Sequence, residues 1–237
     1  KTAIIALPGV PTQMKPMLLD SVLPFLKKNA AQTVKEEALF LCQLTEMEVE
    51  PYLFQLKNAF PAIDIGICPS YGVLSIYLSA EEANSDLGAL KEKIQKKFPT
   101  HLFSHSSKSI ELAIHKTLMS QKKTLALAES CTGGSLAARL TAISGASNIF
   151  LGSIVSYSDH VKKTVLGVDS KILKEVGAVS KEVATQMARG VLKVSGADYS
   201  LAVSGIAGPE GGSINKPVGT VWGALATKEG KVFVENL

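Results

Sequence analysis

The chain has 237 residues, 46% of them hydrophobic and 19% charged, which is enough apolar material for one or two cores and excludes an unfolded polar chain. A formal net charge of +4 is too small to argue for a nucleic-acid partner, and the three cysteines (Cys42, Cys68, Cys131) contain no CxxC pair, which speaks against a disulfide framework or a zinc site. No apolar run approaches the roughly 18 residues of a membrane helix and residues 1–8 are too short and strand-like for a signal peptide, so a cytoplasmic protein without membrane contact is expected.

Residues 1–32 predict a strand over 3–7, a loop at Pro8, Gly9, Val10 and Pro11, and an amphipathic helix over 14–28. That is too little to fold alone and reads as the tail of a larger α/β domain. Residues 33–104 predict a strand over 34–42, then a capping box from Thr45 to Glu48 opening a helix with Val49, Leu53, Leu56 and Phe60 on one face. Short strands at 62–68 and 72–78 follow, joined by a turn at Pro69, Ser70 and Tyr71. A helix over 86–98 carries Leu87, Leu90 and Ile94 inward and Lys91, Lys93, Lys96 and Lys97 on a solvated face, and Pro99 stops it. This order resembles a KH-like or ferredoxin-like half. A GxxG loop between two helices, the device that clamps RNA in KH domains, is missing, so nucleic acid is not the expected partner.

Residues 105–237 alternate helix and strand: a helix over 109–119, a buried strand over 124–128, a glycine turn with its helix, and a strand over 149–157. A short helix over 159–166 stops at Gly167, and Ser180 caps a helix running to about residue 194. A strand over 199–203 and a closing hairpin of 218–227 with 231–235 around Glu229 and Gly230 complete the pattern. The fold class is α/β: a three-layer α/β C-terminal domain preceded by a small α+β KH-like domain.

Two glycine loops, 129–134 and 204–212, each follow an apolar strand. Ligands of open α/β sheets gather beyond the carboxyl ends of strands, so both loops are expected to border one crevice. A turn that opens a helix aims amides and the positive end of the helix dipole at its guest, which favours an anionic small molecule. Neither loop carries the lysine of a P-loop or the dinucleotide fingerprint, which argues against ATP hydrolysis and hydride transfer. Ser130 and Thr132 offer hydroxyls for chemistry, and Ser130, the candidate nucleophile, needs a base. Lys162 serves if desolvation lowers its pKa, and Tyr157, at the end of the neighbouring strand, is placed to orient a ligand or share a proton. His160 keeps a Ser-His-Asp arrangement open, and Cys131, beside a helix N-terminus expected to lower its pKa, keeps a thiolate open. Ser147 fits either a turn or a ligand contact. Residues 213–217 read as a mobile loop, a lid over the crevice.

Glu129-Ser130-Cys131-Thr132-Gly133-Gly134, Val155-Ser156-Tyr157-Ser158 with Lys162, Gly177-Ala178-Val179-Ser180, Ser204-Gly205-Ile206-Ala207-Gly208-Pro209 and Lys216-Pro217-Val218-Gly219-Thr220-Val221 together resemble the CinA family. The resemblance is to its C-terminal nicotinamide mononucleotide deamidase domain, over about residues 105–237. The opening Leu7-Pro8-Gly9-Val10-Pro11 with Met14-Lys15-Pro16-Met17 resembles the end of the family's molybdopterin-biosynthesis-like domain, and residues 33–104 match its KH-like connecting domain in element order. Family members continue past the last strand with a Gly-Asp/Asn-Arg segment, so a piece of a longer protein is expected. The resemblance implies hydrolysis of the carboxamide of nicotinamide mononucleotide to nicotinate mononucleotide and ammonia, with no metal or cofactor at the amidase site; separately, an incomplete sheet edge makes a homodimer the expected assembly. It makes Ser130 the nucleophile, Lys162 its base and Tyr157 an orienting or proton-sharing group. It assigns the substrate's amide and phosphate to Glu129, Cys131, Thr132, Gly133, Gly134, Ser147, Ser204 (often Thr in the family), Gly205, Ala207 and Gly208. The alternative is a non-catalytic nucleotide-binding or regulatory module that keeps the glycine loops.

Overall fold

A computed structural model describes residues 3–29, 34–70, 72–81 and 86–237. They form two compact units, Lys1–Lys108 and Ser109–Leu237. The expected boundary at residues 32 and 33, and Tyr71 of the expected hairpin turn, lie outside the described residues.

In the first unit, α1 (Pro11–Met17) starts on a proline, whose missing N–H and fixed φ suit the first helical turn. The helix therefore begins before the expected residue 14 and continues through a π-helical segment (Leu18–Val22) into α2 (Leu23–Asn29). The strand expected over 3–7 does not form. No described strand lies beside it, and extended backbone without a neighbour's N–H and C=O has nothing to pair with. The rest of the unit is α+β. Strands β1 (Val34–Cys42), β2 (Asp64–Ser70), β3 (Val73–Glu81) and β4 (Leu102–Ser104) make an antiparallel sheet in the order β2-β3-β1-β4. Helices α3 (Glu46–Ala59) and α4 (Asp86–Lys97) cover it, burying Val49, Leu53, Leu56, Leu87, Leu90 and Ile94 against Leu39, Leu41, Leu74, Ile76 and Leu78. The capping box forms, with the Thr45 N–H and Oγ1 each donating to Glu48 at 2.7 Å. On the lysine face, Lys91 pairs with Glu37 at 2.6 Å and Lys97 stands over the Tyr52 ring.

The second unit runs α5 (Ile110–Gln121), β5 (Leu125–Glu129), α6 (Ser135–Thr141), β6 (Phe150–Val155), α7 (Asp159–Thr164), α8 (Ser170–Val176), α9 (Lys181–Ser195), β7 (Tyr199–Gly205), β8 (Val221–Thr227) and β9 (Val232–Asn236). Its sheet has the order β6-β5-β7-β8-β9, parallel across β6, β5 and β7 and antiparallel through β8 and β9. Strand alternation in β5 sends Leu125 and Leu127 to one layer, where they pack with Leu118, Leu140 and Ile149. Ala126 and Ala128 face the other layer, where Ala202, Ala224 and Ala226 also meet Val183, Ala184, Met187, Ala188 and Val191 of α9. Small side chains on the sheet let α9 sit close, and a Cβ added at Gly190 would lie 2.0 Å from the Leu166 carbonyl oxygen. Ser180 caps α9 by accepting from the Val183 N–H. The chain leaves β5 for β6 on one side and returns to β7 on the other, so the carboxyl ends of these strands meet at a topological switch point. No helix among the described residues is long and apolar enough to cross a membrane.

Candidate active site

β5 ends at Glu129, and the next residue, Ser130, extends the sheet edge by donating its N–H to the Val203 carbonyl at 3.0 Å. On the other side of β5, the Ser156 N–H donates to the Glu129 carbonyl at 2.7 Å, fixing where the chain turns after β6. Ser158 caps α7 by accepting from the Val161 N–H, and that short helix carries Lys162 inward. Lys162 Nζ lies 3.0 Å from Ser130 Oγ, 2.7 Å from the Ser156 carbonyl and 3.3 Å from the Tyr157 carbonyl. The lysine is 1% exposed and Ser130 8% exposed. No carboxylate pairs with the amine among the described residues. Burial therefore pulls its pKa below 10.5, against weaker upward pulls from Asp159 and Cys131.

All three neighbours can accept from a protonated amine, and they also suit its neutral form. Two are carbonyls, which only accept. The third is a hydroxyl, which can give a proton to the nitrogen lone pair. A neutral lysine satisfies all three contacts and leaves Ser130 polarised as a nucleophile.

Glu129 has a different task. Its carboxylate is fully buried and accepts from the N–H groups of Gly134, Leu136 and Ala137 and from the Ser153 hydroxyl, at 2.9–3.1 Å. Burial pushes the carboxyl up, but these donors outweigh it and hold the pKa below 4.5. The first turn of α6 is thus capped by the chain's own carboxylate. Its amides are not the open anion cradle expected from the glycine turn.

A cleft of about 300 Å³ opens over the pair, and Ser130, Cys131, Tyr157, Lys162, Gly205, Ala207 and Gly208 line it as the sequence suggests. Ala178, Val179, Ile206, Glu210 and Gly211 also line it. The sequence signal for these was their place in the Gly177–Ser180 and Ser204–Gly212 motifs, not any chemistry of their own. Glu129, Thr132, Gly133, Gly134, Ser147 and Ser204 are not part of that lining. Ser147 sits in a short 3-10 turn before β6, at the amino end of that strand. Ser204 is fully buried and donates to the Ala178 carbonyl at 2.8 Å. Tyr157 is 74% exposed at the mouth, and among the described residues its phenol makes no hydrogen bond to Ser130 or Lys162.

Two expectations are corrected. The Cys131 thiol is pushed up by burial, not lowered by a helix N-terminus, so it is a poor thiolate. His160 lines a separate opening with Lys163, Ser170 and Lys174, away from Ser130. Among the described residues no group of His, Cys, Asp and Glu side chains suits a metal ion.

The second unit is thus a three-layer α/β domain with a buried serine–lysine pair at the switch point of its sheet. Residues 107–237 match the family described as the CinA C-terminal domain, and the chain belongs to the CinA family. A CinA-like protein of Geobacter metallireducens is 40% identical over 234 residues, covering 96% of this chain and 57% of that protein. A putative competence-damage inducible protein of Thermoanaerobacter pseudethanolicus is 37% identical over 241 residues, again with 57% of its length covered, so the chain spans little more than half of the curated relatives it matches. Among solved structures, the competence/damage inducible protein CihA of Agrobacterium tumefaciens superposes with a TM-score of 0.52 at 40% identity, covering 53% of this chain and 76% of that one.

Proposed function

We propose that the C-terminal domain is a serine–lysine amidohydrolase that converts the carboxamide of nicotinamide mononucleotide to the carboxylate, releasing ammonia. The observation that carries this reading is the 3.0 Å approach of an uncompensated, buried Lys162 amine to Ser130 Oγ beneath an open cleft. The substrate comes from the family resemblance. In the reaction, Ser130 Oγ adds to the amide carbon as its proton passes to Lys162 Nζ. Lys162 then returns that proton to the departing nitrogen, ammonia leaves, and an ester on Ser130 remains. Water, deprotonated by the same amine, adds to the ester carbon. Collapse releases the acid and restores the serine hydroxyl. Cys131 and Ala207 line the cleft, and their backbone N–H groups are our candidate oxyanion donors, each typically worth roughly 10²–10³ in rate.

The test is ammonia release from the mononucleotide by the parental chain and by Ser130→Ala and Lys162→Ala. Activity in the parent that disappears in both variants supports the assignment. Full activity in Ser130→Ala removes the nucleophile, and tight binding without turnover in the parent assigns the chain to the non-catalytic alternative.

A further inference from the structure

Residues 213–217 read from sequence as a mobile lid, yet the structure ties this segment down at one point. Across 211–219 every residue is exposed except Lys216. Its Nζ donates to the Val176 carbonyl at 2.5 Å and the Val179 carbonyl at 2.7 Å. The other bonds of this stretch are internal to the loop that follows β7. Ser213 and Lys216 exchange backbone bonds, Thr220 N–H donates to Pro217, and Gly219 and Thr220 close onto Ile206.

The partner stretch, 176–179, is the turn between α8 and α9, and side chains hold all of its carbonyls. Lys216 takes those of Val176 and Val179, Ser180 Oγ takes that of Gly177 at 3.0 Å, and Ser204 Oγ takes that of Ala178 at 2.8 Å. Gly177 has φ +73°, a backbone region that other residues rarely adopt, and a Cβ there would sit 3.7 Å from the Lys216 amine. Both the α8–α9 turn and the loop after β7 border the Ser130 cleft, the first through Ala178 and Val179, the second through Gly208, Glu210 and Gly211.

We infer that Lys216 is a clasp joining these two walls, and so a positioning residue for substrate binding in the Ser130 cleft. The inference rests on the amidase reading for the identity of the substrate, but not for the clasp itself. A lysine suits the place because one ammonium carries three donors on a flexible stem and reaches two separate carbonyls at once. The amine touches neither Ser130 nor Lys162, so its loss should loosen the walls and spare the reacting pair.

Hydrogen exchange and steady-state kinetics on the full chain, as the parent, Lys216→Met and Lys216→Arg, test this. In Lys216→Met, amides of 176–180 and 208–219 should exchange about tenfold faster while those of β5 and β7 are unchanged. KM for the mononucleotide should rise about tenfold with kcat held within about threefold. Lys216→Arg, which keeps charge and donors, should recover part of both effects. Unchanged exchange in Lys216→Met overturns the clasp, and faster exchange with unchanged KM overturns its role in binding. If the parent releases no ammonia, the amidase reading falls and the exchange measurement still decides the clasp.

Discussion

Glu129 and Ser130 are consecutive residues whose side chains serve different elements: the carboxylate of the first caps α6, and the hydroxyl of the second meets Lys162 of α7. Because neighbouring residues of a strand point to opposite sides, one strand end both anchors a helix and presents a nucleophile. The two residues should therefore fail differently when replaced.

Glu129→Ala leaves three half-buried amides and the Ser153 hydroxyl without their acceptor. A loss of about 2–4 kcal/mol in unfolding free energy is expected, read by denaturant titration. Ser130→Ala removes a hydroxyl from an amine that keeps two carbonyl partners, and should change stability by less than about 1.5 kcal/mol.

The pH dependence of turnover should rise from acid toward alkaline pH. Lys162 accepts the serine proton only when neutral, and burial moves its pKa down from 10.5, so the rising limb should lie below that value. A rate profile whose limb lies at or above it would remove the lysine as base.

The same residue governs a stability trend. Between the folded pKa of Lys162 and 10.5 the unfolded chain binds more protons than the folded one, so stability attributable to this group rises with pH. Lys162→Met lacks that term. Its melting temperature relative to the parent should increase as pH is lowered from 10.5 toward the folded pKa and then level off, in thermal melts followed by circular dichroism.

Asp198 gives a trend of the same sign in the acid range, from hydrogen bonding rather than burial. Its carboxylate accepts from Lys123 at 3.0 Å and from the N–H and hydroxyl of Thr124 at 2.9 Å each, which together lower its pKa from 3.8 to about 2. A depressed acid pKa stabilises the fold above the unfolded value and gives that contribution up as pH falls toward the folded one. Asp198→Asn should flatten the decline in melting temperature between those two pH values.

Gly190→Ala places a methyl carbon 2.0 Å from the Leu166 carbonyl oxygen, where backbone must move to admit it. A destabilisation of about 1–3 kcal/mol is expected from such overpacking, against the small gain that the same change brings on an open helix face.

The elements legible in sequence were those with a local signature. Thr45 and Glu48 form a cap within one turn, Ser180 opens α9, and Leu125–Ala128 alternates large and small residues as the two layers require. The pair itself was legible because Ser130 ends one strand and Lys162 follows the end of the next, and parallel strands bring such ends together. β4 was missed because Leu102–Ser104 is too short to carry a pattern and exists only by pairing with β1. α8 was missed because its Asp169 cap precedes a single short turn sequence. The task of Glu129 was misread because its partners lie five to eight residues ahead, across a turn whose path no spacing rule predicts. Ser204 and Lys216 were misplaced for a related reason: their partners are backbone carbonyls of the α8–α9 turn, and carbonyls leave no mark on a sequence.

A lysine sealed in the interior with no opposing charge is a liability that an apolar residue of similar length would relieve. A library of this domain passed through heat challenge alone, with no demand for turnover, should therefore converge on methionine or leucine at position 162. Retention of lysine through such a screen would mean that its carbonyl partners repay the buried amine in full.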